Sequence, residues 1–144
     1  MKTKNYRAQI IFCVIMSIIV FGLTTKAQIS VVTSKSSVRS MTKNDIWNVF
    51  TGVKVVWSDG EKVQVIDQSE SATGKEFYEK FVKSAAYQFR LQWAKLVLSG
   101  EALCPKKLED DWAVRKAVAD DPNAIGYIRS SALDESVREL LRIE

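Results

Sequence analysis

The chain has 144 residues, a formal charge of +4 and no histidine, which removes Ser-His-Asp and Cys-His catalysis, His-ligated metal sites and the commonest general base. The charge does not point to nucleic acid, because Lys2, Lys4, Arg7 and Lys26 sit in the first 27 residues without an acid among them, and the other 117 residues carry as many acidic as basic side chains. A segment of 117 residues makes one ordinary domain with a real core, not two lobes of typical size closing over a ligand.

Lys2 to Arg7 form a positive stretch, Ile10 to Leu23 form an apolar run of 14, and Thr25-Lys26-Ala27 places small residues three and one before a cut. This is the three-part pattern of a secretory signal peptide. The run is short of the roughly 18 to 20 apolar residues that span a bilayer, so residues 1–27 are read as a cleaved export signal to the periplasm and the membrane enters only through it. Cleavage would leave Cys104 as the only cysteine. Between Leu103 and Pro105 it is read as a small buried apolar residue.

Gln28 to Thr33 is a β-branched run and predicts a strand, followed by a polar loop from Ser34 to Ser40. Thr42-Lys43-Asn44-Asp45 is a capping box, and Ile46, Val49 and Phe50 continue it as a short helix ending at Gly52. Val53–Trp57 and Lys62–Ile66 flank an Asp-Gly turn, and propensity alone predicts a hairpin; the second run reads as a core strand. Thr73-Gly74-Lys75-Glu76 is a second capping-box pattern, with Phe77 and Phe81 behind it, and predicts a helix from Thr73 to Val82. Ala86, Phe89, Trp93, Leu96 and Val97 trace a longer helix stopping at Gly100.

Leu108, Trp112, Ala113, Ala117 and Val118 predict another helix, ended by Asp121-Pro122. Ala124 to Ile128 reads as a strand, Ser131 to Ser136 as a turn or short helix, and Val137 to Ile143 suits either strand or helix. Trp93 and Trp112 are expected in the core, and packing is the better reading for Trp57 as well. Asp110-Asp111 and Asp120-Asp121 read as structural, since adjacent helical residues point apart and acids are favoured near a helix start. No zinc, calcium-loop or P-loop spacing occurs, and no cofactor is implied. The alternation of strands and helices predicts one α/β domain, a small sheet flanked by helices.

From Val38 to the C-terminus the chain resembles the second lobe of the phosphate-binding proteins of bacterial ABC transporters. The residues that carry the resemblance are SMTKNDIWNVFTG at Ser40 to Gly52, WSDGEKVQVID at Trp57 to Asp67, SATGKEFYEKF at Ser71 to Phe81, QWAKLVLSG at Gln92 to Gly100 and DPNAIGYI at Asp121 to Ile128. The resemblance is greatest to short, single-domain relatives behind a signal peptide. It implies a type II periplasmic-binding-protein-like lobe over residues 28–144 with a small mixed sheet, and it favours a strand at Val137 to Ile143.

The family's ligand loop runs Arg, then Asp two residues on, then Ser-Gly-Thr and a Phe four residues after the Thr. Aligning that Phe on Phe77 puts Ser71, Ala72 and Thr73 on the Ser-Gly-Thr positions, Asp67 at the arginine and Ser69 at the aspartate. A charge-assisted donor is thereby exchanged for a carboxylate. Of the first lobe, only Ile29 to Thr33 and the loop Thr33 to Ser37 precede the matching region.

Independently of the family, a helix N-terminus offers unpaired N–H groups and the positive end of the helix dipole. Ser71, Thr73 and the N–H groups of Gly74 and Lys75 either cap the helix alone or also hold a small oxyanion. Ser34, Ser36 and Ser37, with Lys35, either form a plain loop or approach the same mouth, since open α/β sheets place ligands beyond the carboxyl ends of their strands. Two functions follow. One is an exported, non-enzymatic solute-binding-like protein for phosphate or a similar oxyanion, working with an ABC permease. The other is a periplasmic interaction module that keeps the lobe as scaffold and partners another envelope protein.

Overall fold

The computed structural model describes residues 27–144; the expected export signal lies outside the described residues except for Ala27. Five strands form one sheet. β1 (Ile29–Ser34) is followed by α1 (Lys43–Phe50), β2 (Gln64–Asp67), α2 (Ala72–Phe77), α3 (Ala86–Leu98), β3 (Lys106–Lys107), α4 (Asp111–Asp120), β4 (Ala124–Arg129) and β5 (Val137–Ile143). The strand order is β3-β2-β4-β1-β5. β2 runs parallel to β3 and β4, whereas β1 runs antiparallel to both β4 and β5. The result is a mixed sheet with helices on both faces, the class of fold that the alternating pattern predicts.

Alternation along the strands sorts the core into two layers. Val31, Val65, Ile125 and Tyr127 face α1 and α2, where Ile46, Val49, Phe50 and Phe77 are buried. Val32, Ile66, Ala124 and Ile128 face the opposite way, against Val114 and Val118 of α4. The first layer is aromatic at its centre: Phe77 stacks on Tyr127 at 3.9 Å between ring centroids, and Phe50 meets Phe77 edge-on at 4.9 Å. Each of these rings is essentially inaccessible to water, which contributes about 1.5–3 kcal/mol apiece, with about 0.5–1.5 kcal/mol more per ring pair. Gly126 belongs to the second layer. A Cβ there would come within 2.9 Å of Val114 Cγ1 and 3.0 Å of Val118 Cγ2, so α4 crosses β4 too closely for any side chain.

The first helix forms as expected. Thr42 caps it, with the Asp45 N–H donating to Thr42 Oγ1 and the Thr42 N–H returning to the Asp45 carboxylate. Val137–Ile143 is a strand and completes the sheet edge. Trp57 is buried, its Nε1 donating to the Asn123 carbonyl at 3.1 Å beneath the Arg39 guanidinium. Trp93 is buried as well.

Four expectations are corrected. The hairpin reduces to a single bridge, Val56 to Lys62, because β2 takes β4 and β3 as its ladder partners. The second capping box is not made: α2 starts earlier, with Ser71 as its cap. Trp112 is 62 % exposed. With Asp110 as N-cap, Leu108 lies before the helix and the buried face is Val114 and Val118, which turns Trp112 outward. Cys104 is exposed rather than buried, since Ala102 supplies the inward contact of that loop and the chain then runs out to the sheet edge at β3. No helix of the described residues is long and apolar enough to cross a membrane.

Candidate functional site at the carboxyl end of β2

β2 ends on Asp67, and the chain then crosses the end of the sheet through Gln68, Ser69 and Glu70 before α2 begins. Asp67 is buried. The hydroxyls of Tyr127 and Tyr78 both donate to its Oδ1, at 2.7 and 3.2 Å. Tyr127 comes from the neighbouring strand β4. Tyr78 follows α2 at the start of a π-helical turn, Tyr78–Val82, that is closed by the Lys83 N–H on the Tyr78 carbonyl. Burial first, and then the Asp67 charge, push both phenols far above the ordinary tyrosine range, so both remain protonated donors.

Gln68 is buried beside them and links four elements. Its N–H donates to Tyr127 Oη at 3.1 Å, and its Nε2 donates to the Tyr127 carbonyl and to Asp111 Oδ1, each at 2.8 Å. Its Oε1 accepts from Ser71 Oγ at 2.8 Å. Ser71 Oγ in turn accepts the Gly74 N–H at 3.0 Å, so this hydroxyl is engaged as donor and acceptor within the protein. The turn is tight: a Cβ on Gly74 would lie 2.0 Å from the Gln68 carbonyl oxygen, a position open only to glycine.

The other expected site residues fall as follows. Ala72 is exposed and Thr73 buried in the first turn of α2, and Lys75 is exposed. Ser69 is 8 % exposed, and its Oγ has no hydrogen-bond partner. It lines an open cleft of about 550 Å³ with Lys75, Tyr78 and Lys83. Beyond the turn, Glu76 receives Lys80 at 2.7 Å and Arg129 of β4 at 2.5 Å.

Ser36 and Ser37 do not join this site. β1 is antiparallel to β4, with Thr33 opposite Ile125 and Ile29 opposite Arg129, while β2 is parallel to β4, with Gln64 opposite Ala124. The carboxyl end of β1 therefore lies at the amino end of β2, across the sheet from Ser71. There Ser34 Oγ bonds Ser36 Oγ at 2.9 Å and reaches the Ala119 carbonyl of α4 at 3.3 Å, and Ser37 is buried against the same turn. The rule that ligands gather beyond carboxyl ends assumes parallel strands.

Sequence reasoning picked out Asp67, Ser71 and Thr73 but missed Gln68, Tyr78, Asp111 and Tyr127. Asp110 caps α4 through the Ala113 N–H at 2.8 Å, the structural role expected for it, and no group of metal-ligating side chains occurs among the described residues.

Comparison with solved structures identifies the fold. A Clostridium perfringens structure with bound phosphate, described as a phosphate ABC transporter substrate-binding protein, matches at 21 % identity and a TM-score of 0.58, covering 79 % of this chain and 45 % of that one. PstS from Borrelia burgdorferi matches at 15 % identity and a TM-score of 0.59, and an ABC-type phosphate transport receptor from Vibrio cholerae at 14 % and 0.51; each covers 79 % of this chain, and 47 % and 46 % of theirs. The chain spans less than half the length of these proteins and has the fold of a single periplasmic-binding-protein-like lobe. No family model and no curated protein sequence matches it.

Proposed function

We propose that the chain is an exported, non-catalytic solute-binding-like protein that takes a small oxyanion such as phosphate at the first turn of α2, and that it serves ABC-type uptake with a permease of the envelope as partner. The observation that carries this reading is the state of that turn. Ser71 takes the N–H groups of Gly74 and Lys75, whereas those of Ala72 and Thr73 meet no protein acceptor among the described residues. Two orphan donors at a helix start favour an anion. Lys75 forms no ion pair among the described residues and lines the cleft with Ser69, whose buried Oγ has no hydrogen-bond partner. The likeness to a structure that holds phosphate supports the same ligand class.

Calorimetry and tryptophan fluorescence with phosphate and sulfate test the proposal. Saturable binding that Thr73→Val weakens is expected; absence of heat and of any fluorescence change at millimolar anion would sink it. A second reading, an envelope accessory lobe without a ligand, is favoured by Asp67, whose carboxylate stands where the resemblance places an arginine. It requires that no anion binds and that crosslinking of periplasmic extract recovers a defined protein partner.

A further inference from the structure

Beneath α3 lies a groove of about 410 Å³, a size that suits small organic ligands. Phe89, Trp93 and Val97 of α3 form one wall, and Asp67 and Tyr78 form part of its polar lining. Asp67 is the unusual member. It is 6 % exposed, and it forms no salt bridge among the described residues. Its two tyrosine donors both serve Oδ1, and no described residue donates a hydrogen bond to Oδ2. Oδ2 is not sealed from solvent and stands as an open acceptor at the groove that Asp67 lines; Lys107, opposite Asp67 in the sheet register, forms no ion pair with it. The aromatic walls add attraction for a cation brought over their faces. The other charged side chains at the groove are Arg90, paired with Glu70 at 3.0 Å, and Lys107, exposed on the sheet edge.

We propose that this groove binds a small apolar ligand bearing a primary ammonium, the ammonium on Asp67 Oδ2 and the hydrocarbon against Phe89, Trp93 and Val97. The assignment does not rest on the oxyanion reading, whose donors belong to the first turn of α2. A simple amine and an amino acid both carry this ammonium; in the second case the carboxylate meets Arg90 or Lys107 at the rim. Phenethylamine, phenylalanine and 3-phenylpropionate separate these cases, because the last keeps the ring and lacks the ammonium.

Titration of the full chain by calorimetry, with tryptophan fluorescence as a second signal, is the test. Phenethylamine or phenylalanine should bind saturably and 3-phenylpropionate should not. Asp67→Asn keeps an acceptor for both tyrosines and should weaken binding about thirtyfold, the loss expected when one partner of a buried charge pair is removed. Should that variant fail to fold, Ala94→Trp fills the groove mouth from an exposed position and should abolish binding while urea midpoints stay unchanged. Phosphate should not compete. The proposal is overturned by absence of saturable binding for both ammonium ligands at millimolar concentration, by equal binding of 3-phenylpropionate, by unchanged affinity in a folded Asp67→Asn or Ala94→Trp protein, or by competition from phosphate.

Discussion

Tyr127 Oη lies 2.7 Å from Asp67 Oδ1 and 3.1 Å from the Gln68 nitrogen, donating to the first and accepting from the second. One hydroxyl thus serves both a carboxylate oxygen at the end of the adjacent strand and the backbone donor that follows it, while its ring is stacked on Phe77.

Tyr127→Phe should therefore cost more than a single neutral hydrogen bond. The ring keeps its packing, but the buried Gln68 N–H loses its partner and Asp67 Oδ1 keeps only the longer bond from Tyr78, for an expected loss of about 2–3 kcal/mol in urea denaturation. Tyr78→Phe removes only the longer 3.2 Å bond to the same oxygen and should cost about 1 kcal/mol. Equal losses for the two variants would show that the Gln68 contact contributes nothing.

The local parts of this fold were legible in the sequence, and the long-range parts were not. Thr42 and Asp45 lie three residues apart, and their reciprocal capping needs no tertiary information. Val137–Ile143 was ambiguous because its charged and apolar residues fit both periods, and its partner β1 is about a hundred residues away in sequence; pairing decided it, as the resemblance implied. The Thr73 box failed because Ser71 gains two hydrogen bonds, to Gln68 and Gly74, that a pattern search cannot see. Trp112 was misplaced by choosing the wrong apolar face, a choice that α4's contact with Gly126 settles. At the site, Asp67 was visible as a replaced arginine, but Tyr127, 60 residues on, reads from sequence only as one residue of an apolar strand. Ser36 and Ser37 were drawn toward Ser71 by a rule for parallel strands, and the antiparallel pairing of β1 puts them at the other end of the sheet.

Gly74→Ala should disrupt the lobe. Its Cβ would sit 2.0 Å from the Gln68 carbonyl oxygen and 2.6 Å from Ser69 Cα, and both obstacles are backbone, which cannot rotate away. The α2 start would have to move off β2 at a cost of about 3 kcal/mol or more. Gly60→Ala is the control: Gly60 has φ +87° and nothing near its Cβ position, so only conformational strain of about 1 kcal/mol is expected. Thermal midpoints of the two variants should differ clearly, and similar midpoints would refute the close approach of the two segments.

Cys104 should react in the native protein. Its side chain is exposed between Ala102 and β3, so maleimide labelling of the Cys104 peptide, followed by mass spectrometry, should proceed without denaturant at a rate close to that in urea. Protection by a factor of a hundred would place the thiol in the core.

Glu76 links α2 to β4, and its titration should appear in the pH dependence of stability. The hydrogen bond from Lys80 and then that from Arg129 hold its carboxyl below the ordinary value of 4.5. Because the folded state binds this proton less readily than the unfolded chain, the contribution is fully present above pH 4.5 and is lost as the pH falls through the lowered folded-state value. Its side chain is 24 % exposed, so the size is that of a partly screened pair, about 1 kcal/mol. Glu76→Gln should be less stable than the parent protein at pH 7 by about that amount, and the difference should shrink steadily below pH 4.5 as the parent's glutamate takes up its proton. Urea midpoints of both proteins across that range measure it. A difference that stays constant down to pH 3 would mean that the ion pairs with Arg129 and Lys80 do not stabilise the fold, and that the variant acts through packing alone.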